Sequence, residues 1–187
     1  MKFQEYLPLA MRTAKRLETK AENLNHAVLG LLSEVNEMTD ALETGDLVNL
    51  REELGDILWY IALAHKCLLS HVKDYEPNTD DFTDFTDYSK MVLAGEYGYL
   101  LSKLSDDVKR MLIYKKEYTD VDFERMASLL ISLSDVVFKT IKAYNLDVDL
   151  VMQRNIVKLK ERYKDQYTDW EATHRDLVKE RNVLENG

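Results

Sequence analysis

Apolar residues recur at helical spacing along almost the whole chain, and only six Gly and two Pro, Pro8 and Pro77, interrupt the pattern. That rhythm gives each of a series of helices an apolar stripe, and it lacks the alternation and turn density that a sheet requires. The expected fold class is all-α. With 187 residues, 45% of them apolar, the chain is long enough for one helical bundle around a single sizeable core.

The pattern predicts six main helices, at about Phe3–Glu22, Leu24–Glu43, Asp46–Ser70, Tyr88–Lys116, Val121–Tyr144 and Val148–Lys164. A charged, helical tail follows from Trp170 to Glu185. Gly45 followed by Asp46 reads as a helix stop and an N-cap, folding the second and third helices into an antiparallel hairpin. Thr119-Asp120-Val121-Asp122 has the form of a capping box. The stretch 74–87, with Glu76-Pro77-Asn78-Thr79, reads as a connector. It divides a single domain, 1–187, into a first half (1–75) and a second half with the tail (76–187).

A faint internal repeat links the halves. Leu31-Leu32-Ser33 recurs as Leu100-Leu101-Ser102, and Leu54-Gly55-Asp56-Ile57-Leu58-Trp59 recurs in kind as Leu133-Ser134-Asp135-Val136-Val137-Phe138. A pseudo-twofold fused repeat is one reading; chance recurrence of helical Leu/Ser/Asp patterns is the other. In that alignment Glu34, Glu37, Glu53 and Asp56 face Lys103, Asp106, Ser132 and Asp135. The second copy keeps the helical pattern and loses half the carboxylates, so one working site per chain is expected.

Two acidic pairs carry the chemistry. Glu34-Val-Asn-Glu37 and Glu53-Leu-Gly-Asp56 are each spaced i,i+3, so both carboxylates of a pair project from one side of a helix. Leu31, Leu32 and Val35 surround the first pair, and Leu54, Ile57, Leu58 and Trp59 the second. The hairpin brings all four carboxylates to one half-buried spot, where repulsion and lost hydration cost several kcal/mol per unpaired ion. Protons or divalent cations relieve that cost, and an all-oxygen ligand set suits Mg²⁺ or Mn²⁺. Gly55, within a helix, costs about 1 kcal/mol relative to Ala, so close approach of another group to the backbone is expected there.

The net charge of −9 argues against a nucleic acid polymer as partner, because phosphate backbones require a basic face. No run of about 18 uncharged apolar residues exists to span a membrane. The start Met1-Lys2-Phe3-Gln4-Glu5 lacks an apolar leader, and a single cysteine, Cys67, fits a reducing compartment; a cytoplasmic location is expected.

Glu34-x-x-Glu37 followed by Glu53-x-x-Asp56 resembles the signature of the MazG-like all-α nucleoside triphosphate pyrophosphohydrolases, with the phage-type members nearest. The resemblance runs through His26–Glu37, Glu52–Tyr60 and Asn155–Tyr163, with His174-Arg175-Asp176 and Glu180-Arg181 beyond. It implies Mg²⁺-dependent hydrolysis of a (deoxy)nucleoside triphosphate to monophosphate and pyrophosphate by water attack at the α-phosphorus. It also implies that Glu34, Glu37, Glu53 and Asp56 hold the metal, with Glu34 or Glu37 activating the water. Asn155, Lys158 and Arg162 would meet the phosphates, and their i, i+3, i+7 spacing does put them on one helical face. Asn23, His26 and Trp59 would form the base pocket, with Asn25 and Tyr60 nearby. A homo-oligomer, dimer or tetramer, is the expected assembly.

Asn36 and Ser33 depart from the family's usual Gly and Glu, which leaves the number of metals and the general base open. A ferritin-type di-metal bundle would need Glu-x-x-His on two helices, and only Glu171-Ala172-Thr173-His174 fits. A non-catalytic nucleotide-binding or helical interaction protein on the same fold is the alternative function.

Overall fold

A computed structural model describes residues 1–68, 70–71, 75–77, 87–164 and 166–186. Most of the expected 74–87 connector lies outside these residues. The described residues form eight α-helices, one short 3₁₀ turn and no strand, as the periodicity predicts. They are α1 (Phe3–Ala10), the 3₁₀ turn (Met11–Thr13), α2 (Lys20–Thr44), α3 (Leu47–Cys67), α4 (Asp87–Leu112), α5 (Asp120–Ala143), α6 (Val148–Arg162), α7 (Asp169–Thr173) and α8 (Leu177–Asn186). No helix among the described residues is long and apolar enough to cross a membrane.

Local chemistry sets most boundaries. Gly45 adopts the left-handed conformation (φ 71°) that closes α2. Asp46 then caps α3 by accepting from the Val48 and Asn49 amides at 3.0 Å each. Thr119 and Asp122 form the expected capping box at the head of α5.

Three expectations fail on boundaries. The first helix stops at Ala10 instead of reaching Glu22. Pro8 removes one backbone donor there, and a capping box between Thr19 and Glu22 starts α2 afresh. The fourth helix ends at Leu112, because Lys115 turns left-handed (φ 53°) and the Lys116 amide reaches back to the Arg110 carbonyl at 3.1 Å. The tail is two helices, with His174 stacked on Trp170 where α7 ends.

Two antiparallel hairpins, α2–α3 and α4–α5, make the bundle, with α2 packed on α4 and α3 on α5. Helices α1 and α6 cover the remaining sides of α3, and α8 lies on α6. Helix α3 is therefore central and buried nearly all round, from Leu50 through Leu54, Ile57, Leu58 and Ile61 to His65. Truncating one such leucine to alanine typically costs about 2–5 kcal/mol.

Glycine marks two close approaches to the α2–α3 hairpin. At Gly55 the neighbour is Asn155 of α6, whose Cβ would lie 3.1 Å from an added Cβ, so the mid-helix glycine serves helix packing. At Gly30 an added Cβ would stand 2.1 Å from the Tyr60 ring. That ring is wedged between His26 and Trp59, with centroids 5.7 and 4.8 Å away, and cannot simply swing aside. Gly30→Ala is therefore expected to destabilise the protein by about 1–3 kcal/mol in chemical denaturation, despite alanine's better helix propensity. In a Tyr60→Ala background the same change should be neutral or stabilising, and additive costs in the double-mutant cycle would refute the clash.

Candidate metal centre and nucleotide cavity

The hairpin turn at Gly45-Asp46 lays the first acidic pair on α2 against the second on α3. The ligand oxygens of Glu34, Glu37 and Glu53 come within 4.8 Å of one another, the only such acidic group found among the described residues. Glu53 is 6% exposed, Glu34 half-buried and Glu37 open to solvent. The Ser33 hydroxyl donates to Glu37 Oε1 at 3.1 Å, giving a role to one of the residues that departs from the family pattern.

Electrostatics confirm that the cluster is under load. Burial, then the charge of Asp56, pushes the Glu34 and Glu53 carboxyls above the ordinary range, and a hydrogen bond between the two shares a proton. In that bond Glu53 is the more protonated partner, since the contact raises it and lowers Glu34.

Asp56 stands apart from the other three. Its Oδ1 accepts from Asn155 Nδ2 at 2.7 Å, and its Oδ2 is paired with Lys158 Nζ. Lys158 also reaches Glu52 Oε1 at 3.2 Å, and Asn155 Oδ1 accepts from the Tyr6 hydroxyl at 2.8 Å. Lys158 is 1% exposed and Asn155 3%. Asn155 and Lys158, expected at the phosphates, do share a helix face, and in the structure that face meets Asp56. Helix periodicity identified the face and could not say what it meets.

A cavity of about 370 Å³ opens beside the carboxylates, within the size range of small-molecule sites. Glu34, Glu37, Glu52, Glu53 and Asp56 line it, and so do His26, Trp59 and Tyr60. Its cations are Lys15, Arg162 and Arg175. Of the residues expected at the phosphates, Arg162 is in the lining and Asn155 and Lys158 are not. Lys15, held to Asp169 at 2.5 Å, lies in the irregular segment that the sequence reading had made helical.

The base-pocket expectation divides. His26 and Trp59 line the cavity; Trp59 is fixed there by donating Nε1 to the Ala10 carbonyl and Thr13 Oγ1, both at 3.0 Å. His26 Nδ1 is buried with no partner among the described residues, and burial, then Lys15, lowers its pKa, so the ring is neutral. Asn23 does not reach the cavity. Its Nδ2 donates to the Leu17 and Thr19 carbonyls at 3.0 and 2.7 Å, tying the loop ahead of α2 to its first turn.

Compared with known proteins, residues 22–71 match the family model of the MazG nucleotide pyrophosphohydrolase domain. No curated protein and no solved structure matches the chain. The matched segment is the α2–α3 hairpin with all four acidic positions, so the chain carries a MazG-type segment, which supports a nucleotide pyrophosphohydrolase activity in general.

Two measurements check this geometry. Lys158→Met, made without substrate, should cost about 3–5 kcal/mol of stability, because it strands the Asp56 charge; a phosphate-binding lysine on a free face would cost almost nothing. The second concerns pH in chelated protein. Carboxyls raised in the fold bind protons that the unfolded chain has released, so their contribution is present at low pH and lost as pH rises. The denaturation midpoint of the chelated protein should fall between about pH 5 and about pH 8, and Glu34→Gln should flatten that decline.

Proposed function

We propose that the protein hydrolyses a (deoxy)nucleoside triphosphate between the α- and β-phosphates, releasing the monophosphate and pyrophosphate. The observation that carries this reading is one cavity holding three clustered carboxylates, three cations and an aromatic corner. The first suits a hard divalent ion, the second a polyphosphate, the third a base.

The donor set fits the ion. Glu34, Glu37 and Glu53 offer only oxygen, lie close together, and carry the excess negative charge whose relief a cation would supply. These three residues would hold Mg²⁺, with Mn²⁺ as substitute, and the bound ion would polarise phosphate oxygens and acidify water. Asp56, already committed to Lys158 and Asn155, contributes its field from beside them.

The remaining steps belong to the chain's own residues. Glu34 and Glu37 lie together at the cavity, and Glu34, the less exposed of the two, would take the proton of the attacking water. Water adds to the α-phosphorus, the bond to the bridging oxygen breaks, and pyrophosphate leaves with the electron pair. Arg162, Arg175 and Lys15 offset the charge growing on that leaving group. The rings of His26, Trp59 and Tyr60, set edge to face, form a rigid wall for the base. Leu29 and Leu32, 57% and 42% exposed on one side of α2, favour a homo-oligomer.

A panel of canonical and modified triphosphates with pyrophosphate detection tests the reading directly. Release should require Mg²⁺ or Mn²⁺, and Glu53→Gln should lower kcat/KM at least about a hundredfold while the helical circular dichroism stays unchanged. Parental rates in that variant would remove Glu53 from the site. Tight nucleotide binding with no turnover in Mg²⁺ would favour the non-catalytic alternative.

A further inference from the structure

Among the described residues, Glu180 hydrogen-bonds both arginines of the cavity lining. It is 3% exposed, an unusual place for a carboxylate. Its Oε1 accepts from Arg162 Nε at 3.0 Å and from Arg175 Nε at 3.4 Å. Its Oε2 accepts from Arg162 Nη2 at 2.5 Å and from Arg175 Nη2 at 2.7 Å. One carboxylate thus serves two guanidinium forks from separate parts of the chain, the last turn of α6 and the link between α7 and α8.

Two guanidiniums brought this close repel each other, and Glu180 offsets one of their two charges. Burial alone would raise the Glu180 carboxyl; the hydrogen bonds and charges of the two arginines outweigh it and hold the group down at about 2, so it is ionised at neutral pH. A guanidinium has five N–H donors. Each arginine spends two on Glu180 and has three more, and both side chains line the cavity.

Docking of α8 does not account for this arrangement. Leu184 is buried, Arg154 donates to its carbonyl at 2.9 Å, and Arg181 donates to Asn49 Oδ1 at 3.0 Å. Those contacts seat the helix without Glu180, whose buried charge is costly to desolvate and gains little stability by itself.

We propose that Glu180 is a positioning residue, holding Arg162 and Arg175 as one preformed cradle for the polyphosphate part of the substrate, so that the segment beyond Thr168 belongs to the site. The identity of the substrate as a nucleotide rests on the function proposed above. The cradle itself asks only for a polyphosphate anion.

The test titrates inorganic tripolyphosphate into the full-length protein in Mg²⁺, alongside nucleotide kinetics. Glu180→Gln keeps the shape and removes the charge; it should weaken tripolyphosphate binding on the order of tenfold to a hundredfold and raise KM more than it lowers kcat. Glu180→Asp should recover part of that loss. Arg175→Lys, at a partly exposed position where folding is not at stake, should show the same weakening, because an ammonium cannot fill the fork. Glu185→Gln, on the same helix and paired with Arg181, should behave as the parent.

Unchanged tripolyphosphate affinity and KM in both Glu180→Gln and Arg175→Lys would overturn the proposal, as would a parent protein that does not bind tripolyphosphate. A Glu180→Gln effect confined to the melting temperature would overturn it too, leaving Glu180 a docking contact. Glu180-dependent tripolyphosphate binding in a protein that hydrolyses no nucleotide would uphold the cradle and sink the nucleotide reading.

Discussion

The ion pair between Lys158 and Asp56 is the constraint on which the rest of the molecule depends. Helix α3 is buried nearly all round, yet it carries Glu52, Glu53 and Asp56 within two turns. A central helix with three carboxylates is untenable unless charge is returned to it from outside. Lys158 supplies that charge from α6, Asn155 adds an amide, and the Tyr6 hydroxyl secures the amide from α1. Three helices are thereby fixed around one acidic residue. The triad of Glu34, Glu37 and Glu53 is left with its excess charge because the balancing cation is committed one turn away.

The sites of the two hairpins differ in how their acids are satisfied. In the first, Glu34 and Glu53 have only each other and a shared proton. In the second, at the positions matched by the sequence repeat, Asp135 accepts from the Tyr75 hydroxyl at 2.5 Å and Asp106 is paired with Lys109 and Arg110. Acids with local partners have no need of an ion. Charge left unsatisfied, more than the number of carboxylates, distinguishes the candidate site from the rest of an acidic surface.

Much of this was legible in the sequence because it is local. The Gly45-Asp46 hairpin, the capping box at Thr119 and the convergence of Glu34, Glu37 and Glu53 follow from helical spacing and turn chemistry. Gly55 was correctly singled out, although its neighbour is Asn155 and not a ligand. What escaped is long-range. Nothing near residue 158 announces a partner at 56, and nothing near Gly30 announces the Tyr60 ring. The tail reads only as charged and helical, because Glu180, Arg162 and Arg175 are complementary only once α6 and α8 are packed together. The end of α1 is a local matter: the apolar rhythm runs on past Ala10, and the Thr19/Glu22 capping box starts α2 afresh.

The separation of Lys158 from Asp56 by 102 residues has a bearing on how the protein comes into being. A ribosome delivers the α2–α3 hairpin, with its acids, long before it delivers α6. Until then Asp56 lacks its cation, and close packing around α3 would strip away the water that stands in for it. Early compaction of the first half is therefore opposed by its own charge, and the arrival of α6 removes the opposition. Synthesis delivers Asp56 before Lys158, with Arg162 and Arg175 later still, so the cavity is completed by the final stretch of chain that lines it.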